Sequence, residues 1–190
     1  MREVLKPHAL DKAWGTGLEV MEAIRGRRSV RRFLDRGVDD ELLMELLDAA
    51  RWAPSAGNLQ PWEFVVVRDP ELKKDLARAA LSQMFIAQAP AVIVVCADAL
   101  RSASIYGTRG STLYCIQDTA AATQNMLLAA YSRGLGTCWV GAFREDAVGR
   151  LIDAPAGVRP VAIVPVGYPA EKPKPPPRRS LSEIVHHETF

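Results

Sequence analysis

Apolar positions along the chain form two kinds of run, and the two follow one another without a regular alternation. Between Asp40 and Ala50 they recur every three or four residues, at Leu42, Leu43, Leu46, Leu47 and Ala50, the spacing of one helical face. Asp39 stands where a capping residue is needed, Asp40 and Glu41 suit the positive end, and Pro54 forces the helix to stop before it. Residues 62–68 read as a strand, whose Val65-Val66-Val67 run predicts burial on both faces. Pro70 is placed to open a helix reaching about Ala80. Ala91-Val92-Ile93-Val94-Val95-Cys96 predicts a second buried strand. Residues 98–112, small and polar with two glycines, read as a loop. The longest helical pattern covers 113–133, with Ile116, Ala120, Thr123, Leu127, Ala130 and Tyr131 on one face, and Gly134 can end it in the left-handed conformation. Strands are predicted from Thr137 to Val140 and from Val161 to Val166, with a short helix over 144–152 between them. Ahead of all these, Leu18, Val20, Met21 and Ile24 predict one or two helical turns ending at Gly26.

The flanks differ in kind. Residues 1–17 form a polar arm with no period. From Pro169 to Arg179 there are five prolines, which exclude a helix or an inner strand and predict an extended tail in need of a surface. The domain organisation is therefore an arm over 1–17, one domain over 18–168 and an extended tail over 169–190. No internal repeat is visible.

Composition adds limits. A chain of 190 residues, 48% apolar and 24% charged, is long enough to bury one core and too ordinary in mix for a disordered or fibrous class. The net charge of +2 argues against a nucleic-acid coat. The positive charge is local, with five arginines within residues 25–32 and a second group at Lys172, Lys174, Arg178 and Arg179. Two separated clusters suit one small anion gripped from two sides better than a long polyanion. Cys96, Cys115 and Cys138 lack zinc or redox spacing and read as buried thiols. The chain start lacks an apolar signal region and no apolar run is long enough to cross a bilayer, which predicts a reduced, cytoplasmic setting without membrane attachment. Neither a GxGxxG turn nor a GxxxxGK[ST] loop is present, so dinucleotide-fold and triphosphatase readings lose ground. His8, His186 and His187 lie in terminal segments and read as polar chain ends; no metal is expected.

Three segments could carry chemistry. The run Arg25-Gly26-Arg27-Arg28-Ser29-Val30-Arg31-Arg32 holds permanent charge on planar forks that match phosphate oxygens, although alone it also reads as a solvated face. Ala53 to Trp62 joins a helix to a strand through two prolines and a glycine, and its Ser55, Asn58 and Gln60 can hold hydrogen-bonding groups on a rigid loop. Gly134 to Phe143 supplies glycines where backbone can approach a ligand closely; the same glycines also read as a helix stop and turn.

Together these segments resemble the nitroreductase family of FMN-dependent oxidoreductases. The family's Arg-Arg-Ser-(Val/Ile)-Arg opening matches Arg27 to Arg31, its Ala-Pro-Ser-x-x-Asn-x-Gln-Pro-Trp loop matches Ala53 to Trp62, and its Gly-Leu-Gly-Thr-x-Trp-x-Gly segment matches Gly134 to Gly141. A Gly-Tyr-Pro turn and a proline-rich basic tail match Gly167 to Arg179. The resemblance implies an α+β fold: a central, mostly antiparallel sheet flanked by helices, in an intertwined homodimer whose C-terminal tail is exchanged onto the partner, with FMN at the interface. It implies an FMN grip by Arg27, Arg28 and Ser29, a basic residue at the pyrimidine edge in Arg31, and contacts from the partner chain by Pro54, Ser55, Ala56 and Asn58. It further implies an amide near the ring in Gln83, backbone donors near N5 at Val140 and Gly141, and a tail contact to phosphate by Arg178 and Arg179. Ser180 stands where the family tail has proline, which leaves the choice between those two arginines open.

The implied activity is transfer of hydride from NADH or NADPH through the flavin to a nitroaromatic, a quinone or a related small acceptor, in a ping-pong cycle that needs no catalytic side chain. Substrate choice would fall to residues 98–112, with Tyr106 and Arg109, and to the surroundings of Phe85. The alternatives are a flavin-binding or flavin-consuming member without NAD(P)H turnover, of the dimethylbenzimidazole-forming kind, and a phosphate- or nucleic-acid-binding protein. The iodotyrosine-dehalogenating branch is discounted, because its lid needs a glutamate and none occurs between Glu71 and Glu145.

Overall fold

Strand β2 (Ala91–Asp98) is the centre of the molecule, buried at every residue from Ala91 to Ala97. It pairs with β1 (Trp62–Val67) on one side and β4 (Val158–Gly167) on the other; the short β3 (Gly136–Thr137) lies beyond β4, and every pairing is antiparallel. The computed structural model describes residues 18–190. The arm over 1–17, with His8, lies outside the described residues.

The unbroken apolar run of β2 is explained by two cores, one on each face of the sheet. Side chains alternate across a strand. Ile93 and Val95 therefore join Leu43, Leu46, Met126 and Leu127 from α2 (Asp40–Arg51) and α6 (Cys115–Ser132). Val92 and Val94 join Leu76, Ile86 and Val148 from α3 (Pro70–Ala79), α4 (Phe85–Gln88) and α7 (Glu145–Leu151). The expected mostly antiparallel sheet with helices on both faces is what forms. β1 departs from expectation: it is an edge strand, and Val66 is 41% exposed. A valine run signals strand, but burial on both faces also requires the helices packed on each face to reach as far as the sheet edge.

Other elements differ in detail. The stretch read as a loop over 98–112 is mostly the helix α5 (Ala99–Arg109), followed by a single π turn over Gly110–Tyr114. Asp98 caps it by accepting from the Arg101 N–H at 2.9 Å. Its glycines act as a kink, at Gly107 with φ 54°, and as a contact point, since a Cβ on Gly110 would stand 2.3 Å from the Ser102 carbonyl oxygen. The strand expected from Thr137 to Val140 pairs at Gly136 and Thr137 and rejoins β4 only at Val140 opposite Ile163. That register sets Pro165, which has no N–H to donate, against Cys138. Asp39 precedes α2 but makes no side-chain cap. On α6 the buried face includes Thr123, Leu127 and Ala130 as expected, while Ile116 and Ala120 are only half-buried. Gly134 follows it with φ 72°.

The first helix, α1 (Val20–Gly26), buries Ala23 alone and leaves Val20, Met21 and Ile24 exposed. Glu19 caps it, accepting from the Met21 and Glu22 N–H groups at 3.0 and 3.2 Å. Among the described residues nothing covers its apolar face.

Candidate functional site

The arginine segment is held from both sides as extended backbone. On one side Val30 N–H donates to the Thr137 carbonyl at 2.9 Å, and Ser29 bridges Thr137 in parallel. On the other, Leu34 N–H donates to the Tyr168 carbonyl and Ala170 N–H to the Arg32 carbonyl, each at 2.9 Å. Val30 is buried, so the alternation of an extended chain turns Ser29 and Arg31 the other way.

Arg27, Arg28, Ser29 and Arg31 line one cavity of about 290 Å³, and Lys174 and Arg178 of the tail line it with them. Its wall carries five cationic side chains and no carboxylate. The Nε atoms of Arg27 and Arg28 are buried without a hydrogen-bond partner, and an orphaned charged donor is costly unless an acceptor meets it. Arg28 is partly committed, its Nη1 donating to the Arg25 and Arg27 carbonyls at 2.6 and 2.7 Å. A phosphate dianion fits this donor set in charge, size and number of acceptor oxygens. Arg27 and Arg28 also line a larger cavity of about 760 Å³ whose other side chains are mostly apolar, with Glu171 and Lys172 as an oppositely charged couple.

The two tail arginines part company. Arg178 lines the cationic cavity, whereas Arg179 donates to the Glu183 carbonyl at 2.7 Å, beside a Ser180–Glu183 capping box. Lys174 joins the site as a residue that the sequence does not single out, since nothing along the basic tail distinguishes one of its lysines from the other.

Beyond the cavity the arginine segment leads to the ends of α4 and β3. The Arg31 guanidinium lies 5.7 Å from the centre of the Phe85 ring. Gln83 is pinned by its Nε2, which donates to the Ala80 and Ala142 carbonyls at 2.9 and 3.0 Å, and so stands against the 140–142 segment. The expected donor at Val140 is corrected: its N–H is given to the Ile163 carbonyl at 2.9 Å as part of the sheet. Gly141 N–H has no acceptor among the described residues, which leaves it as the available donor. Cys138 lies behind, with Ser29 in hydrogen-bonding reach and Arg31 and Arg27 nearby. Burial pushes its thiol up, against the pull of Arg31, Ser29 and Arg27. A protonated, buried thiol is not a nucleophile.

Pro54, Ser55, Ala56 and Asn58 sit elsewhere; none of them lines either cavity. Their loop is stiffened from within and from below. Ser55 Oγ accepts from Gln60 N–H at 3.0 Å, Asp118 Oδ1 of α6 accepts from Ala56 N–H at 3.1 Å, and Arg101 Nε donates to the Leu59 carbonyl. Asn58 and Gln60 both take left-handed backbone, φ 55° and 53°, a strain that persists only where the surroundings impose it. Burial raises the Asp118 carboxyl above the ordinary aspartate range, against the Ala56 N–H. The loop presents Pro54 and Asn58 to solvent.

Among the described residues no group of histidine, cysteine and carboxylate side chains is arranged to hold a metal; His186 stacks against Phe190 at 4.6 Å between ring centres. No helix among them is long and apolar enough to cross a membrane.

Residues 24–168 match the sequence profile of the nitroreductase family. A protein of Methanothermobacter thermautotrophicus provisionally named NADH dehydrogenase/NAD(P)H nitroreductase is 39% identical over 160 residues, 82% of this chain and 80% of its own. The FMN reductase (NADPH) of Bacillus subtilis is 30% identical over 183 residues, 90% of this chain and 74% of its own. Among solved structures, the NADPH:FMN oxidoreductase of Vibrio harveyi in complex with NAD+ superposes with a TM-score of 0.83 at 30% identity, over 90% of this chain and 77% of that one.

Proposed function

The chain belongs to the nitroreductase family and is on that footing an FMN-dependent NAD(P)H oxidoreductase; we propose that it serves a nitroaromatic, quinone or related small acceptor, in a homodimer with FMN at the interface. The observation that carries this reading is the cationic cavity with its two orphaned, buried arginine Nε atoms. FMN, when bound, would supply the redox chemistry that links NADH or NADPH to the acceptor.

The protein's part is to bind and orient. Arg27, Arg28 and Ser29, with Lys174 and Arg178, would hold the phosphate. Arg31 would set positive charge at the pyrimidine edge, and Gly141 N–H would donate near N5, with Gln83 fixing that backbone through Ala142. No side chain at the site is arranged as a nucleophile, since Cys138 is held protonated. Pro54, Ser55, Ala56 and Asn58 would come from the partner. In support, their loop stands apart from the arginine cavity within one chain, and apolar side chains lie uncovered at Val20, Met21, Ile24, Met44 and, at 73% exposure, Trp52. Burying such a surface is the usual driving force for an obligate dimer. Of the tail expected on the partner over 169–190, residues 170–178 lie along their own chain's arginine segment, so the crossing part would begin beyond Arg179, where Leu181, Ile184, Val185 and Phe190 are exposed. A cytoplasmic setting accords with three unpaired cysteines.

The test is an absorbance spectrum of the purified protein followed by anaerobic titration with NADH and NADPH. Bound flavin bleached by either donor is expected. A colourless protein that neither takes up FMN nor oxidises NAD(P)H when given it would end this reading, and bound flavin inert to both donors would move it to the flavin-binding alternative. The tail makes a separate prediction. Arg178→Ala should weaken FMN binding by about tenfold or more, the loss of one charge-assisted hydrogen bond, while Arg179→Ala should leave it within about threefold. Fluorescence titration of FMN against both variants decides, and the reverse order would reassign the phosphate contact.

A further inference from the structure

We propose that Glu171 is a positioning residue: its carboxylate clamps the tail to the arginine segment and thereby delivers Lys174 and Arg178 to the cationic cavity. Glu171 Oε1 accepts from two consecutive backbone N–H groups, Arg31 at 2.6 Å and Arg32 at 3.1 Å. Ala170 N–H returns a bond to the Arg32 carbonyl at 2.9 Å. The tail is thus tied at one point to the backbone that carries Arg27, Arg28 and Arg31.

What that tie does depends on the chain that follows. Residues 173, 175, 176 and 177 are all proline, so the segment from Glu171 to Arg178 is a stiff extended rod. At about 3.1 Å per residue it carries the position of its anchor roughly 9 Å to Lys174 and roughly 22 Å to Arg178. A flexible tail would forget its anchor within a few residues, and a proline rod does not. Both delivered cations line the cavity. Glu171 itself lines the neighbouring cavity and not this one, so it acts through the tail and touches no bound anion. Carboxylate is the suitable group here because one oxygen can accept from two N–H donors at once, with the strength of a charge-assisted bond.

The inference rests on the FMN reading for its binding readout and stands apart from it in a second one. With FMN binding followed by fluorescence, Glu171→Ala is expected to weaken affinity about tenfold, and Glu171→Gln, whose amide oxygen can still accept from both donors, to stay within about threefold of the parent. Glu171→Ala in an Arg178→Ala background should cost less than Glu171→Ala alone, because the Arg178 contact is then already lost and only the delivery of Lys174 remains to be removed. Affinity unchanged or tightened in Glu171→Ala, as loss of a repelling charge alone would give, overturns the proposal, and so do fully additive effects. Amide hydrogen exchange at Arg31 and Arg32 in flavin-free protein supplies the independent arm. It should accelerate in Glu171→Ala and hold in Glu171→Gln, and unchanged exchange in Glu171→Ala overturns the clamp. If the parent takes up no FMN, the proposed function fails while this second measurement still decides on Glu171.

Discussion

Replacing Arg27 by alanine will weaken FMN binding by about ten- to a hundredfold, the worth of a charge-assisted hydrogen bond to phosphate at 1.5–3 kcal/mol. Arg27 is the cleaner test of the two adjacent arginines. Arg28 also steadies the segment through the Arg25 and Arg27 carbonyls, so its removal would mix a folding effect with a binding one. Arg27 Nε has no partner and is buried, so truncation breaks no side-chain hydrogen bond among the described residues. The stability of the flavin-free protein should therefore hold or rise, because an unmet buried donor costs about 1–3 kcal/mol. Arg27→Lys should recover only part of the affinity, since it restores the charge without the planar fork. Fluorescence titration together with thermal melts of the flavin-free variants makes the comparison. Undiminished affinity in Arg27→Ala would remove Arg27 from the phosphate grip.

Gly136→Ala will damage both fold and site, although Gly136 presents no side chain to either. A Cβ there would lie 2.8 Å from Val30 Cβ and Cγ1 and 2.9 Å from Cγ2. Val30 cannot retreat, being 6% exposed and tied through its N–H to the Thr137 carbonyl. The overpacking should cost about 1–3 kcal/mol in stability. Whatever Val30 moves, it moves Ser29 and Arg31 as well, so FMN affinity should fall alongside. Urea denaturation and FMN titration of the same variant give the two numbers. Adding Val30→Ala makes room for the new methyl and should restore a good part of the affinity. A Gly136→Ala protein with unchanged midpoint and unchanged affinity would show that this close approach is not what sets the arginine segment in place.

Much of the fold was legible because it depends on local spacing. The 3–4 period of Leu42 to Ala50 and the apolar run of Ala91 to Cys96 hold whatever lies around them. Legibility fell where a residue's meaning depends on what faces it. Val65-Val66-Val67 looks like a central strand and lies at an edge, because sequence does not reveal the neighbour that is missing. Gly107 and Gly110 look like a loop and belong to a kinked helix and its turn, because a left-handed kink at Gly107 and close packing of Gly110 against Ser102 require the same residue as flexibility does.

The site divides in the same way. That Arg27, Arg28, Ser29 and Arg31 could grip an anion follows from residue chemistry and order along the chain. Which tail arginine joins them does not, since Arg178 and Arg179 are adjacent and chemically alike, and only the path of the proline rod sends one to the cavity and the other to the Glu183 carbonyl. The donor expected at Val140 failed for a related reason: a backbone N–H is available only if no strand has taken it, and Ile163 is distant in sequence. Residue type and local period thus determined which chemistry this chain carries and the elements that bear it. Tertiary structure decided who meets whom, because pairing across the sheet, close approach at Gly136 and the anchoring of the tail at Glu171 are contacts between residues far apart along the chain.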